Sequence, residues 1–333
     1  MSTQHLTPAP PPPVAQARTA PPAALTVLSE YGIFIVTAAT IVLAAVAVNG
    51  FASTANVVDI FHRAAPVGIV AVGMTFVVIS ANYIDLSVVS QVAIAGVTML
   101  SLGADDLPLG ILCGIALCVL VGLTNGLAVG VLRANAVVVT LATGGASLGV
   151  LSLVTSGTIY YGSSGGLVDR FGHTRLGPFP LVAVSLVVVA VAGWFLLSRT
   201  VFGFSLKSLG ANRAAARLAG VRGGWTVTGA FVVSSLCCAA AGFVLASISS
   251  TAVATMSNGY DFSALAAVIV GGNSLFGGRG SVQRTMIGVI FVSVVANILV
   301  LVGLPFAWQQ LVTGSIIVAA VALDSLSRKA GIR

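Results

Sequence analysis

The sequence predicts an all-α fold, a polytopic bundle of transmembrane helices. Of its 333 residues 57% are hydrophobic and only 7% charged, and the apolar residues come in continuous runs rich in Ala, Val, Leu and Ile. Soluble domains carry about 25% charged residues, so eight acidic and fifteen basic side chains cannot clothe a folded surface of this size. Hydrocarbon must face most of the exterior. Only helices or closed barrels satisfy their backbone inside a bilayer, and the runs do not alternate over about ten residues as barrel strands do. The net charge of +7 does not indicate nucleic acid, because the basic residues are scattered between apolar runs. Cys113, Cys118, Cys237 and Cys238 lie inside those runs with no His or acidic neighbour at ligand spacing. They read as small buried hydrophobes, with no metal site and no disulfide framework.

Residues 1–28 hold seven of the twelve prolines and too little apolar surface to pack, which predicts a disordered cytoplasmic tail. A cleaved signal peptide fits poorly, since the first apolar run begins only near Tyr31. Ten apolar segments follow in a transmembrane domain over 29–326: about 31–48, 66–81, 86–102, 108–131, 136–155, 179–197, 226–249, 263–275, 285–303 and 306–323. Those near 66–81 and 263–275 fall short of the ~20 residues of a straight span and run into polar or Gly-rich sequence. Both predict short, broken or re-entrant helices. Residues 327–333 form a short basic tail.

Charge sets the orientation. With the N-terminus in the cytoplasm, twelve of the fifteen basic residues share one side, and only Arg63, Arg170 and Arg175 fall on the other. The positive-inside rule then places both termini in the cytoplasm. Gly110 with Gly114, and Gly122, Gly126 and Gly130 in succession, give small residues four apart. That spacing lets helix backbones approach closely, more simply within one chain than between two. The two halves show matching outlines of long and short spans, as an inverted repeat would.

Three constellations stand out. Asp85 is closely flanked on both sides by membrane-like sequence, and a carboxylate in hydrocarbon costs at least ~2.5 kcal/mol. With Asn82, Ser87, Ser90 and Gln91 it either caps a helix start or lines a translocation path. Asn125, Asn297, Gln309 and Gln310 are further polar residues in apolar runs; interhelical hydrogen bonding is the simpler role for each and a polar cavity the other. In the basic loop 198–225, Asn212 is a good N-cap, an Ala-rich run follows, and Gly220 is placed to end a short helix. Such a helix suits docking to another protein, with Leu209 and Leu218 as apolar contacts; the plainer alternative is a positive-inside loop lying on anionic membrane lipid. The third constellation runs from Val270 to Val282, with Gly277, Gly278, Arg279 and Gly280 at its tip. No lysine follows its glycines, so it is no phosphate-binding Walker loop and predicts a tight cytoplasmic turn. No nucleophile and base stand at catalytic spacing, which predicts no catalytic residues and no enzyme activity in this chain.

GMTFVVIS and IDLS between Gly73 and Ser87, LTNGLAVGVLR from Leu123, SRTVFG from Ser198, GANRAAARLAGV from Gly210, LAAVIVGGNSLFGGRGSV from Leu265 and WQQLVTGSIIVAAVALD from Trp308 resemble the ribose-type permease family. These are inner-membrane subunits of bacterial ABC importers for pentoses and related small polar solutes, and the likeness covers nearly everything after residue 28. It implies a homodimeric permease, a periplasmic solute-binding protein and a separate cytoplasmic ATP-binding subunit. That subunit would use ATP and Mg, with no cofactor bound by this chain. It also implies that Gly210, Ala211, Asn212, Arg213, Ala215, Ala216, Arg217, Leu218 and Gly220 form the coupling helix seated on the ATPase. Members usually carry glycine where this chain has Ala81, Asn82 and Val89, and an acidic residue at the place of Arg213. The alternative class, an ion-coupled secondary transporter or channel, needs a charged relay deep in the bundle, for which Asp85 is the lone candidate.

Overall fold

The structure is a computed structural model that describes residues 23–80, 84–104 and 106–329. Thirteen α-helices carry it: α1 (Ala23–Ala47), α2 (Thr54–Ile79), α3 (Val88–Ser101), α4 (Leu107–Gly126), α5 (Ala136–Thr155), α6 (Leu167–His173), α7 (Leu181–Arg199), α8 (Val201–Ala211), α9 (Arg213–Leu218), α10 (Gly223–Ser249), α11 (Tyr260–Val270), α12 (Val282–Leu301) and α13 (Phe306–Lys329). A π-helical turn, Leu127–Val131, extends α4. Two pairs of two-residue strands, β1 (Tyr160–Tyr161) with β4 (Thr251–Ala252) and β2 (Arg175–Leu176) with β3 (Phe179–Pro180), tie connections at one end of the bundle. Among the described residues six helices are long and apolar enough to cross a membrane, and four shorter apolar helical stretches, Gly32–Ala47, Val88–Ser101, Tyr260–Val270 and Phe306–Ala322, accompany them.

One expectation fails at α2. Of the segment near 66–81, residues 66–79 are no short or broken span: they are the second half of a continuous helix of 26 residues that runs through Pro66, and residue 81 lies outside the described residues. Asn56, Asp59, His62, Arg63 and Pro66 made its first half look like a loop. Ser53 caps its start, accepting from Asn56 N at 3.3 Å, and Arg63 pairs with Asp59 one turn away at 2.7 Å, so the polar turns satisfy themselves. The expectation of a short helix holds for α11. Of the expected N-terminal tail, residues 1–22 lie outside the described residues, and α1 is helical from Ala23.

The core forms where α2 and α10 cross. A Cβ on Gly73 would stand 2.7 Å from Cβ of Cys237 and 3.0 Å from Cα of Ser234, so glycine permits that approach. The stripe Gly122, Gly126 and Gly130 lays α4 and its π turn along α10 in the same way, against Ser235, Thr228 and Gly224. Gly110 and Gly114 meet Thr98 on α3. These glycines therefore serve packing within the chain. Phe76, Phe231, Ile69, Met74 and Val72 are fully buried at the centre, while α4, α5 and α7 turn large apolar side chains outward.

The helix contacts repeat in two halves. The long helix α2 is followed in the chain by the short α3, and the long helix α10 turns back through 250–259 into the short α11. Each short helix then packs on the helix after it and on the long helix of the other half, α3 on α4 and α10, α11 on α12 and α2. Helices α2 and α10 end at opposite ends of the bundle. One end, the basic end, carries α8, α9, the loop 271–281, Arg133, Arg199, Arg222 and Arg284. The other carries Arg63, Arg170 and Arg175.

Candidate functional site: a buried polar break and a basic-end docking segment

The turn between α2 and α3 buries a polar network. Asp85 has no exposed surface. Its Oδ1 accepts from the backbone N–H of Ser87 at 3.0 Å and from the Ser87 hydroxyl at 2.5 Å, while Oδ2 accepts from the hydroxyl of Ser234 on α10 at 3.2 Å. The Ser87 hydroxyl in turn accepts from Gln91 Nε2 and from Asn125 Nδ2, each at 2.8 Å. Thr143 on α5 donates to Asn125 Oδ1 at 2.6 Å. Four helices, α3, α4, α5 and α10, are thereby pinned to this one short segment. Ser90 donates to the Ser87 carbonyl at 2.8 Å, and Ser257, in the turn leading to α11, donates to the Val89 carbonyl at 2.7 Å. Gln91 Oε1 is buried without a partner among the described residues.

Asp85, Ser87, Ser90, Gln91 and Asn125, chosen from the sequence for either a cap or a path, thus come together. Asn82 lies outside the described residues. Asn297 is elsewhere: it exchanges two hydrogen bonds with Asn56, at 2.8 and 3.0 Å, and so ties α12 to the start of α2. Ser234 and Thr143 were missed, because hydroxyls in apolar helices ordinarily bond the carbonyl one turn back and nothing in their neighbours sets these two apart.

At the basic end, Asn212 caps α9, its Oδ1 accepting from Ala214 N and Ala215 N at 3.0 Å each. Gly220, at φ +81°, ends it. Both follow the sequence reading; α8, capped by Thr200 accepting from Gly203 N at 3.2 Å, was not foreseen. Exposure separates the two faces of α9. Ala216 is buried against the chain's own core and Ala215 is exposed, while Leu218 is 91% exposed. Leu209, expected as an outward contact, is buried. Arg213 and Arg217 border a cleft with Arg133 and Trp225, and a groove of about 570 Å3 runs between α8 and α9.

The Gly-rich loop packs directly beneath this segment. Gly278 N donates to the carbonyl of Ile79, the last residue of α2, at 2.9 Å, and a Cβ on Gly210 would collide with both backbones. Asn273 holds the loop in shape: Nδ2 donates to Val268 O at 2.8 Å and to Thr285 Oγ1 at 2.9 Å, and Oδ1 accepts from Ser281 N at 2.8 Å. Positive φ at Gly272, Gly277 and Gly278 explains the glycines there.

Residues 56–321 match the family described as branched-chain amino acid transport system / permease component. Among similar proteins, the galactofuranose transporter permease protein YtfT of Escherichia coli K12 is 32% identical over 80% of this chain and 79% of its own length. The ribose import permease protein RbsC of Haemophilus influenzae is 33% identical over 83% and 86%, and the L-arabinose transport system permease protein AraH of E. coli K12 is 33% identical over 90% and 92%. No solved structure matches the chain. With this family match and apolar helices of membrane-crossing length, the chain belongs to the permease-subunit family of ABC transporters and is a multi-pass inner-membrane protein.

Proposed function

We propose that this protein is the translocating subunit of a bacterial importer that moves a neutral monosaccharide or related polyol by alternating access, driven by a separate ATPase. The observation that carries this reading is the outward edge of α9, Ala215, Arg217 and Leu218, presented at the basic end beside Arg133. An exposed leucine rimmed by arginines suits an acidic and apolar cleft on a soluble partner. The substrate class follows the similar proteins, which are named for galactofuranose, ribose and L-arabinose. A family description naming branched-chain amino acids is the competing substrate.

In this reading the basic end is cytoplasmic, the six long and four shorter apolar helices make ten membrane segments, and both termini face the cytoplasm. Two copies assemble, with a periplasmic solute-binding protein on the end that carries β1 to β4. Nucleotide binding draws the ATPase halves together. Each α9 moves with its docking cleft, and the backbone junction of Gly210, Gly278 and Ile79 passes that movement to the end of α2. ATP supplies the free-energy difference between outward and inward states. Asp85 and its partners hold the turn that shapes the path, and the Gly277–Gly280 turn with Arg279 supports the coupling segment. The test is purification of tagged permease with its neighbouring ATPase and binding protein, followed by uptake in liposomes. ATP-dependent accumulation of a pentose or hexose is expected; ATP-independent, ion-driven uptake by the permease alone would overturn the reading in favour of a secondary transporter.

A further inference from the structure

Beside the buried network lies an open cleft of about 340 Å3, between the first turn of α3, the middle of α5, the start of α11 and α13, with Asn258, Gly145 and Phe262 exposed at its mouth. Small-molecule sites begin at about this size. Four polar side chains line it, those of Ser90, Asn258, Asp261 and Gln310. Among the described residues no basic side chain lies within ion-pair distance of Asp261, and no residue forms a hydrogen bond with the side-chain amides of Asn258 and Gln310. The space is shaped for the glutamine: at Gly259, φ +84°, a Cβ would fall on the Gln310 amide.

Depth makes these groups informative. Helices α3 and α11, of 14 and 11 residues, rise only about 21 and 16 Å, against ~30 Å of hydrocarbon. They start at this cleft and run to opposite ends of the bundle, so the cleft sits near mid-membrane. A carboxylate at that depth is found facing water or a polar path, not lipid.

We propose that this cleft binds a neutral, polyhydroxylated solute and is the permease's own selectivity site. The Asp261 carboxylate accepts from a pair of hydroxyls, and the amides of Asn258 and Gln310 donate to and accept from the next pair. Leu86 and Phe262, also in the wall, cover the apolar C–H face. A solute carrying a carboxylate is repelled, since the lining offers one acidic side chain and no basic one. The proposal rests on the sugar-importer reading above and adds the residues that would choose the cargo.

Gly145 gives a direct probe, because it lines the cleft and a Cβ there meets nothing within 4 Å. Gly145→Cys is made in the full chain with Cys113→Ser, Cys113 being the one cysteine of the four that is not buried. Membrane vesicles are then treated with a hydrophilic methanethiosulfonate reagent in the presence of D-ribose, L-arabinose, D-galactose or L-leucine. The cysteine is expected to react. At least one sugar should slow the reaction about threefold at a concentration about twice its Kd, and leucine should leave it unchanged. Asp261→Asn and Gln310→Ala should each abolish the protection while leaving the unprotected rate as it was, which a merely structural defect would not do. An unreactive cysteine, protection by leucine, protection by none of the sugars, or protection that survives both substitutions overturns the proposal. ATP-driven uptake by the complete complex is measured alongside: uptake without protection overturns this site alone, and protection without ATP-driven uptake overturns the importer reading while the site stands.

Discussion

Asp85 accepts three hydrogen bonds from within the chain and has no exposed surface, which favours its role as a support for the helix break. Asp85→Asn keeps an acceptor for Ser87 and offers its amide to the Ser234 hydroxyl, which can turn to accept it. It should therefore transport at close to the normal rate. Asp85→Leu strands the Ser87 N–H and two hydroxyls at about 1–3 kcal/mol for each buried group; a large fall in the detergent-solubilised melting temperature checks this, and equal behaviour of the two variants contradicts it. Asp169 is the half-buried counterpart at the other end. It accepts from Gly165 N at 2.9 Å and from Ser250 Oγ at 2.8 Å, with His173 Nδ1 at 3.2 Å, and these bonds, the first above all, hold its carboxyl below the usual range. A lowered folded-state value means that its contribution is complete above the unfolded value of about 3.9 and is lost as pH falls through the still lower folded one. Hydrogen exchange of the 162–174 amides should thus show no Asp169-dependent change between pH 5 and 8, and Asp169→Ala should speed it throughout that interval. The sequence shows each carboxylate but not its partners: Ser234 lies 149 residues from Asp85 and Ser250 lies 81 from Asp169.

Among elements, the short helix α9 was legible because its signals are local: an Asn cap, an alanine run and a glycine with positive φ all act within nine residues. Which of its faces points outward was not legible. A six-residue helix has no apolar stripe to read, and the inward turn of Ala216 depends on α8, whose residues look like loop. The same distinction explains α2, where internally paired polar residues disguised a continuous helix, and α11, whose brevity shows directly. The outward face is therefore where a docking test belongs. Leu218→Asp should leave folding and insertion intact while cutting ATPase retention on tagged permease at least tenfold, about 1.4 kcal/mol. Gly278→Ala, by contrast, needs a strained positive φ and sets a Cβ 2.6 Å from Ala211 N. It should keep part of the ATPase bound yet separate hydrolysis from transport, because the junction with α2 is disturbed and the docking face is not. Retention of the ATPase by Leu218→Asp would remove α9 from the interface.

At the scale of the whole molecule, the two halves pack the same way although their sequences share only an outline of long and short spans. Packing explains this. What each half must reproduce is a glycine-mediated crossing, a return turn and a half-length helix, and many sequences with small residues at the crossing can do so. The halves also run in opposite senses across the membrane, so the hydrophobic pattern alone cannot orient the molecule and charge must. Among the described residues the basic end carries Arg133, Arg199, Lys207, Arg213, Arg217, Arg222, Arg279 and Arg284, against Arg63, Arg170 and Arg175 at the other. Reversing the chain would leave the larger group on the wrong side of the positive-inside bias. Ser164 and Ala219 are exposed, one at each end, and allow a direct measurement in the Cys113→Ser background. An impermeant maleimide applied to cells with a permeabilised outer membrane should label Ser164→Cys and spare Ala219→Cys, and inside-out vesicles should show the reverse. Labelling of Ala219→Cys from outside would place α9 away from any cytoplasmic ATPase and would remove the physical basis for coupling through Gly210, Gly278 and Ile79.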